Sequence, residues 1–239
     1  MMVFSQTDRG PREQNQDFFL VEEFSGGLYL VVADGVGGNK GGQIASRAAC
    51  ENFMAAIKSG CSPKDAILKA HDVVLDLASK SQDLTGMATT LTCVVVKGCR
   101  AYGVHSGDSR VYLLRKNGIH QVTQDHSEVA RLLLSGKITK SEAITYPRRN
   151  VLYSAVGTNA KFVFQELDFE LEDGDRILVM TDGVYSVLSK RGFRDLSLEN
   201  SDFNEYCKAI IDRVVAGKTR DNYTLAGVEV SDIHDEVAS

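Results

Sequence analysis

The chain has 239 residues, of which 43% are hydrophobic, so it is long enough to bury a core of its own. It carries 27 Lys and Arg against 32 Asp and Glu, and this net charge of -5 argues against non-specific nucleic-acid binding. No apolar run approaches the roughly 18 residues of a membrane helix, and no basic-then-apolar leader opens the chain. We therefore expect a cytoplasmic protein with neither nucleic-acid nor membrane partners.

The chain shows no internal repeat and no low-complexity linker, and it has only three prolines. This uniformity predicts a single domain over residues 1–230, followed by a short acidic tail at 231–239. Five cysteines occur without any Cys-x-x-Cys pair, which favours reduced thiols over a zinc site. They are Cys50, Cys61, Cys93, Cys99 and Cys207.

Several apolar runs are typical of strands covered on both faces. In the run from Leu28 to Ala33, Leu28, Leu30 and Val32 alternate with Tyr29, Val31 and Ala33, so both faces are apolar. Further strands are predicted over 18–21, 89–96, 111–114, 177–180 and 222–230. Lys116-Asn117-Gly118 predicts a hairpin with a type I′ turn at Asn-Gly.

Helical spacing of apolar residues marks four other segments. They are 45–57, a segment opened by the cap Ser62-Pro63-x-Asp65, a short one over 128–134, and 203–215. Helices come in pairs and strands in runs, which argues against alternating β-α units. We expect an α+β fold, a four-layer α-β-β-α sandwich in which two stacked, mostly antiparallel sheets are flanked by helix pairs.

Aspartates stand at the edges of five predicted strands. Each alone is explained by a turn or a cap. Together, carboxylates at rigid strand ends can converge on one rim of a sandwich, where they would repel one another unless cations neutralise them. Oxygen ligands suit Mg²⁺ or Mn²⁺, and two such ions about 3.5–4 Å apart can activate a hydroxide for attack on phosphorus. The residues are Asp17, Asp34, Asp108, Asp182 and Asp221.

Two neighbouring features fit phosphate chemistry. Arg12 is a candidate for the phosphoryl oxygens, because a guanidinium matches phosphate in a bidentate manner. Gly35 leaves its carbonyl accessible beside Asp34. The glycine-rich segment 35–42 also raises the alternative of a nucleotide-binding loop, but it has neither Gly-Lys-Ser/Thr nor Gly-x-Gly-x-x-Gly.

At this point the sequence resembles the metal-dependent Ser/Thr protein phosphatases, the PPM or type 2C class, in its bacterial single-domain branch. Seven blocks carry the resemblance in the family's order along nearly the whole chain. They are GPREQNQD (10–17), VVADGVGG (31–38), GMATT (86–90), HSGDSRVY (105–112), TQDHS (123–127), TDGV (181–184) and DNYT (221–224).

The resemblance implies a dinuclear Mn²⁺ or Mg²⁺ site at one end of a β-sandwich. Asp34 would bridge the two ions, Gly35 would offer its carbonyl to one, and Asp182 and Asp221 would hold the other. Asp17 matches an acid that binds a metal through water, Asp108 matches a ligand of a possible third ion, and Arg12 matches the phosphate-binding arginine. Residues from about 128 to 150 occupy the place of a flap beside the active site.

The implied reaction is hydrolysis of phosphoserine or phosphothreonine on proteins by direct attack of a metal-bridging hydroxide. None of the cysteines belongs to a Cys-x5-Arg loop, which agrees with a mechanism without a phosphoenzyme. One departure concerns the proton donor: Val36 stands where many relatives have a histidine. His105, His126 and water at a third metal are the alternatives. Gln16 replaces a usual Glu, which the motif tolerates because its metal-facing acid is Asp17.

The partners expected from the resemblance are phosphoprotein substrates, including a cognate Ser/Thr kinase, and the chain is expected to be monomeric. Two alternatives stay open: a non-catalytic binding module that kept the fold, and an enzyme acting on one dedicated regulator. Retention of all matching acids argues against the first, and the lack of an attached sensor domain argues against the second.

Overall fold

Two antiparallel sheets are built from eleven strands within the described part of the chain. The structure, a computed structural model, describes residues 1–36, 41–159 and 161–231. The strands are β1 (Met2–Asp8), β2 (Asp17–Phe24), β3 (Gly27–Val36), β4 (Ala88–Thr89), β5 (Leu91–Lys97), β6 (Arg100–Ser106), β7 (Arg110–Arg115), β8 (Gly118–Gln121), β9 (Gln165–Glu170), β10 (Arg176–Met180) and β11 (Tyr223–Glu229).

The first sheet has the strand order β1-β11-β10-β7-β8, and the second has the order β2-β3-β5-β6-β9 with β4 added to β3. Neighbouring strands pair antiparallel throughout both sheets. The chain passes from the second sheet to the first between β6 and β7. The short connection that makes this passage holds Asp108.

The helices of the described residues are α1 (Gly41–Lys58), α2 (Pro63–Lys80), α3 (Glu128–Leu134), α4 (Lys140–Thr145), α5 (Asp182–Tyr185), α6 (Lys190–Glu199) and α7 (Phe203–Ala216), with a 3₁₀ turn at Gln82–Leu84. Four of them, α1, α2, α6 and α7, cover the outer faces of the two sheets. Helices α1 and α2 share a buried core with the second sheet, and α6 and α7 share one with the first. No helix of the described ranges is both long enough and apolar enough to cross a membrane.

A third core fills the space between the sheets. Leu28, Leu30 and Val32 of β3 lie in it with residues of β5, β10 and β11, whereas Val31 and Ala33 belong to the core under α1 and α2. Successive side chains of a strand point to opposite faces, so a run buried on both faces requires a layer on each side. The predicted four-layer α-β-β-α sandwich is therefore confirmed.

Most predicted elements agree with the structure. Helix α2 is capped by Ser62, whose side chain accepts from the Asp65 amide, with Pro63 at its first position. Helix α3 spans the predicted residues, and α1 and α7 extend theirs by a few residues. Strands β1 and β9 and helix α6 were not predicted, because their exposed faces break the apolar pattern.

Three local predictions were wrong. Strand β3 does not end at Asp34 but continues to Val36, because Gly35 and Val36 pair with β4. The predicted strand 89–96 is interrupted at Thr90, which divides β4 from β5. In the β7–β8 hairpin Arg115 pairs with Gly118, so the turn residues are Lys116 and Asn117.

The turn type also differs from the one predicted. Lys116 has φ +52°, while neither Asn117 nor Gly118 has a positive φ. A type I′ turn needs a positive φ at both central residues, and a type II′ turn needs it only at the first. The turn is therefore of type II′, and its central residues are Lys116 and Asn117, one residue before the predicted Asn-Gly pair.

Candidate metal centre

Strand parity places the predicted acids in the space between the sheets. Asp34 shares the face of Leu28, Leu30 and Val32, which points towards the first sheet. Asp17, the first residue of β2, is paired directly with Asp34 across the two strands. The two carboxylates therefore lie side by side at one end of the second sheet.

The first sheet supplies two more acids to the same end. Asp182 begins α5 directly after β10, and Asp221 stands two residues before β11, the strand paired with β10. A Cβ on Gly183 would lie 1.9 Å from the Asn222 carbonyl oxygen, so only glycine allows α5 to approach this closely. The close packing brings Asp182 beside Asp221.

Asp108 reaches the cluster from the β6–β7 connection. Its backbone carbonyl accepts from the Tyr185 hydroxyl of α5 at 2.9 Å. The Tyr185 ring lies under the Arg110 guanidinium, 3.7 Å from the ring centroid, and Arg110 is paired with Asp125. These contacts fix the loop of Asp108 against the helix that starts with Asp182.

Burial and mutual repulsion act on these acids together. Burial raises the pKa of Asp17 to about 7. The hydrogen bonds from Thr224 and Thr181 oppose this rise, and the charges of Asp182 and Asp221 add to it. Burial and then the neighbouring acids raise the pKa of Asp108 to about 7 and of Asp182 to about 6. Burial, reinforced by all four other aspartates, raises the pKa of Asp34 well above its usual range. The protein thus spends folding free energy to gather these groups.

Two carboxylate oxygens indicate what kind of ligand the centre would bind. Among the buried side-chain oxygens and nitrogens of the described residues, Asp17 Oδ1 and Asp182 Oδ1 alone have no hydrogen-bond partner. Leaving such a buried acceptor without a partner is costly. Clustered oxygen donors are the ligands that Mg²⁺ and Mn²⁺ prefer, so the residues present fit a divalent cation.

The ligand set is nonetheless not gathered around a single point. Within the described ranges, no three His, Cys, Asp or Glu side chains already form a group that would hold one ion. Asp221 Oδ2 instead accepts from Arg12 Nη2 at 2.7 Å, with both side chains roughly half exposed. The predicted set of Asp34, Asp182 and Asp221 is therefore close together but not arranged as a closed coordination shell.

Gly35 is required for packing as well as for any role of its carbonyl. A Cβ there would lie 2.1 Å from the Gly42 carbonyl oxygen and 2.7 Å from that of Gln16. The Gly35 amide also donates to the Gln16 carbonyl at 3.0 Å. Glycine lets the end of β3 pass between the start of α1 and the segment before β2.

Threonines that sequence reasoning did not assign hold the Asp34 backbone. Thr90 donates its amide to the Asp34 carbonyl at 2.8 Å, and its hydroxyl accepts from the Asp34 amide at 2.8 Å. The Thr89 hydroxyl donates to the same carbonyl at 2.9 Å. The interruption between β4 and β5 at Thr90 thus creates a clamp around the predicted bridging acid.

Asn222 was also missed, although it directly follows Asp221. Its buried side chain accepts from the Gln16 amide and donates to the Arg9 and Gln14 carbonyls, all at 2.8–2.9 Å. It therefore fixes the loop that carries Arg12 against the start of β11. Its place in the DNYT block, directly after Asp221, was the sequence signal that could have found it.

The two histidines considered as proton donors are engaged elsewhere. His105 is fully buried, with Nδ1 at 2.8 Å from the Thr92 hydroxyl and Nε2 at 3.2 Å from the Gln124 carbonyl. His126 is also buried, and its Nδ1 accepts from the Gly107 amide at 3.3 Å. Both rings serve packing and loop anchoring around the Asp108 connection.

Comparison with known proteins agrees with this geometry. Residues 9–221 match the family described as protein phosphatase 2C. The chain is 29% identical over 246 residues to the serine/threonine phosphatase Stp of Listeria welshimeri, covering 93% of each chain. It superposes on the serine/threonine phosphatase of S. agalactiae with a TM-score of 0.88 and 27% identity, over 96% of this chain and 99% of that one.

A second solved structure bears on the metal. The chain matches the catalytic domain of the serine/threonine protein phosphatase PstP, determined in complex with two manganese ions, with a TM-score of 0.84 and 27% identity. The match covers 97% of this chain and 98% of that one. The chain belongs to the protein phosphatase 2C family, because the family match spans residues 9–221 and the four-layer fold agrees with it.

Proposed function

We propose that this chain hydrolyses phosphoserine and phosphothreonine on proteins at the aspartate cluster, with two divalent cations and a possible third. The observation that carries the proposal is the pair of buried carboxylate oxygens without partners, Asp17 Oδ1 and Asp182 Oδ1, at the meeting point of both sheets. Membership in a family of metal-dependent Ser/Thr phosphatases supports the substrate class.

In this proposal each acid has the role that the family resemblance implies for it. Asp34 would be shared by the two ions, and the Gly35 carbonyl would serve one of them. Asp182 and Asp221 would hold the other ion, and Asp17 would act through water. Asp108, on its anchored loop, would help Asp182 to hold a third ion. Mn²⁺ and Mg²⁺ both suit these oxygens, and the neighbour with two manganese ions supports manganese.

When bound, a pair of divalent ions lowers the pKa of a water molecule and offsets negative charge on the phosphoryl group. The chain's own residues then have to hold the phosphorylated side chain in the orientation that the reaction needs. Because burial raises the pKa of several of these acids, binding of a cation there would be coupled to release of protons. No side chain of this chain needs to be phosphorylated on the way.

Arg12 is the residue proposed to bind the phosphoryl oxygens. Its Nε donates to the Arg220 carbonyl at 2.9 Å while Nη2 is paired with Asp221, so the guanidinium is held at the rim of the cluster. An ion pair as exposed as this one is worth at most about 1 kcal/mol. A phosphate and a cation can therefore separate the two side chains at small cost.

The segment 128–150 is proposed as a flap over the site within a single domain of residues 1–230. It comprises α3 and α4, and Glu128 ties its two ends by pairing with Arg148 at 2.9 Å. Phosphoproteins, a cognate Ser/Thr kinase among them, are the proposed partners of a cytoplasmic, signalling monomer. The predicted tail beyond Ser231 lies outside the described residues.

The test is hydrolysis of a phosphothreonine peptide and of p-nitrophenyl phosphate with and without Mn²⁺. We expect activity that requires the ion and is removed by EDTA. Asp34→Asn should lower kcat by at least about 100-fold, because the proposed ions lose their shared ligand. Asp168→Asn is the matched control, since Asp168 lies on β9 and is paired with Arg100 at the surface. Activity that survives both EDTA and Asp34→Asn would overturn the proposal.

A further inference from the structure

The hydroxyl groups around Asp17 form a chain of hydrogen bonds that the proposed catalytic machinery does not include. Asp17 Oδ2 accepts from the Thr224 hydroxyl at 2.7 Å and from the Thr181 hydroxyl at 2.8 Å. The Thr224 Oγ1 also lies 2.7 Å from Thr7 Oγ1, which in turn accepts from Asn15 Nδ2 at 2.9 Å. We call Asn15, Thr7, Thr224 and Thr181 the threonine relay.

With Asp17 ionised, the hydrogen bonds of the relay all run in one direction. A hydroxyl has one proton to donate. Thr224 gives its proton to Asp17, so the bond between Thr7 and Thr224 is donated by Thr7. Thr181 gives its proton to the same carboxylate oxygen and accepts from the Thr224 amide at 3.0 Å. All members therefore point their donors towards Asp17 Oδ2.

Strand parity explains why these threonines meet there. Thr7 of β1 is paired with Thr224 of β11, and both lie on the face that points into the space between the sheets. Thr181 follows β10 on the same face as Val179. Asp17 belongs to the other sheet, so the relay is a hydrogen-bonded link from the first sheet to the second. Thr181 and Thr224 are completely buried.

The two oxygens of the Asp17 carboxylate differ in their hydrogen bonding. Oδ2 receives two hydroxyl donors, whereas Oδ1 is buried and has no partner. Rotation of the carboxylate would break two buried hydrogen bonds and leave hydroxyls unpaired, which is costly. The orientation of Oδ1 is thus set from the opposite sheet.

We infer that Thr224 and Thr181 are positioning residues that aim Asp17 Oδ1 at the divalent-cation site, so that cation affinity depends on hydroxyl groups of the first sheet. The inference rests on the proposed function. Neither threonine touches substrate, and each acts through Asp17. Groups behind a metal-site residue typically change metal affinity by 10–100-fold when removed.

The experiment measures Mn²⁺ binding directly, from the electron paramagnetic resonance signal of free Mn²⁺ at increasing protein concentration. Thr224→Val keeps the shape and removes the hydroxyl, and it should raise the Kd about 10–100-fold. Thr224→Ser restores the hydroxyl and should bind within a few-fold of wild type. Thr181→Val and Thr181→Ser repeat the comparison at the second donor, which covers the case that one valine variant does not fold.

Thr92→Val is the matched control. Thr92 is an equally buried threonine of β5 whose hydroxyl contacts His105 instead of an acid of the site. We expect Thr92→Val and Thr224→Val both to lose thermal stability, but Thr92→Val should keep its Mn²⁺ affinity.

Two results would overturn the inference. One is a Thr224→Val or Thr181→Val protein that is folded and binds Mn²⁺ as tightly as wild type. The other is a serine variant as weak as the valine variant, which would assign the effect to packing. A wild-type protein that binds no Mn²⁺ would overturn the proposed metal site itself, and this inference with it.

Discussion

At the scale of the residue, the most informative feature is a pair of buried carboxylate oxygens without hydrogen-bond partners. Buried polar groups in proteins are nearly always hydrogen-bonded, yet Asp17 Oδ1 and Asp182 Oδ1 are not. Their carboxylates are held from behind, Asp17 by two threonine hydroxyls and Asp182 by its position at the start of α5. The unpaired oxygens are therefore positioned acceptors, as a cation site requires.

Arg12 gives a prediction at this scale. Arg12→Ala should raise KM for a phosphopeptide by at least about tenfold, because a bidentate phosphate contact is lost. Since the pair with Asp221 is exposed, the melting temperature should change by no more than about 4 °C. The affinity for Mn²⁺ should not fall, because Asp221 loses a competing cation.

Steady-state kinetics, thermal melting and Mn²⁺ titration measure these three quantities. Arg47→Ala is the matched control, since Arg47 is similarly exposed and paired with Glu51 on α1. An unchanged KM in Arg12→Ala would remove Arg12 from the phosphate site.

At the scale of the element, strands β2 and β3 deliver paired acids because their registers agree. Asp17 faces Asp34 across the pair, and a slip of β2 by one residue would turn Asp17 to the opposite face from Asp34. Strand β3 can continue past Asp34 because residue 35 is glycine, and a Cβ there would lie 2.1 Å from the Gly42 carbonyl oxygen. Thr89 and Thr90 hold this end of the strand by hydrogen bonds to the Asp34 backbone.

Strands β5 and β6 give a pH prediction. Burial, with His126 as a lesser cause, lowers the pKa of His105 from 6.5 to about 3. The folded state then binds fewer protons than the unfolded state between these values, so its stability is present above pH 6.5 and is lost as the pH falls towards 3. His105→Gln should remove this contribution, which amounts to about 1.4 kcal/mol per pH unit.

Urea unfolding at pH 7.5, 6.0 and 5.0, in wild type and His105→Gln, measures the difference in slope. The variant should be less stable at pH 7.5, since the ring contacts with Thr92 and Gln124 are altered, but its stability should fall less steeply below pH 6.5. Parallel curves for the two proteins would show that His105 does not carry this dependence.

At the scale of the whole molecule, the two sheets are joined by apolar contacts along most of their length and by polar groups at one end. Leu30, Ile177 and Val228 belong to the apolar core between them. At the end with the site, the core gives way to acids from both sheets and to the threonine relay. Repulsion among the acids opposes closure of the sandwich there.

A divalent cation should therefore stabilise the whole fold. Ions bound to the folded state alone contribute about 2.7 kcal/mol at a concentration 100 times their Kd. For a chain of this size, that corresponds to a rise in melting temperature of about 5–10 °C. Thermal melting with Mn²⁺ and with EDTA measures the rise, and Asp34→Asn should show little of it. An equal rise in both proteins would place the stabilising ion elsewhere.

The sequence by itself determined the layers of this protein and predicted the residue types of its candidate site. Strands apolar on both faces require covering layers, and Leu28 to Ala33 shows that pattern in full. Turns, caps and strand faces depend on neighbouring residues only. The sequence could therefore also predict the capped start of α2 at Ser62 and the aspartates beside glycines at strand ends.

Only the tertiary structure decided how the acids are supported. Thr7, Thr181 and Thr224 are distant in sequence and meet because β1, β11 and β10 are neighbours in one sheet. The Arg12–Asp221 pair and the loop contacts of Asn222 likewise join opposite ends of the chain. Hydrogen bonds have a range of about 3 Å, and which hydroxyl reaches which carboxylate depends on the register and packing of whole sheets. That dependence is why candidate ligands could be predicted from the sequence and the groups that support them could not.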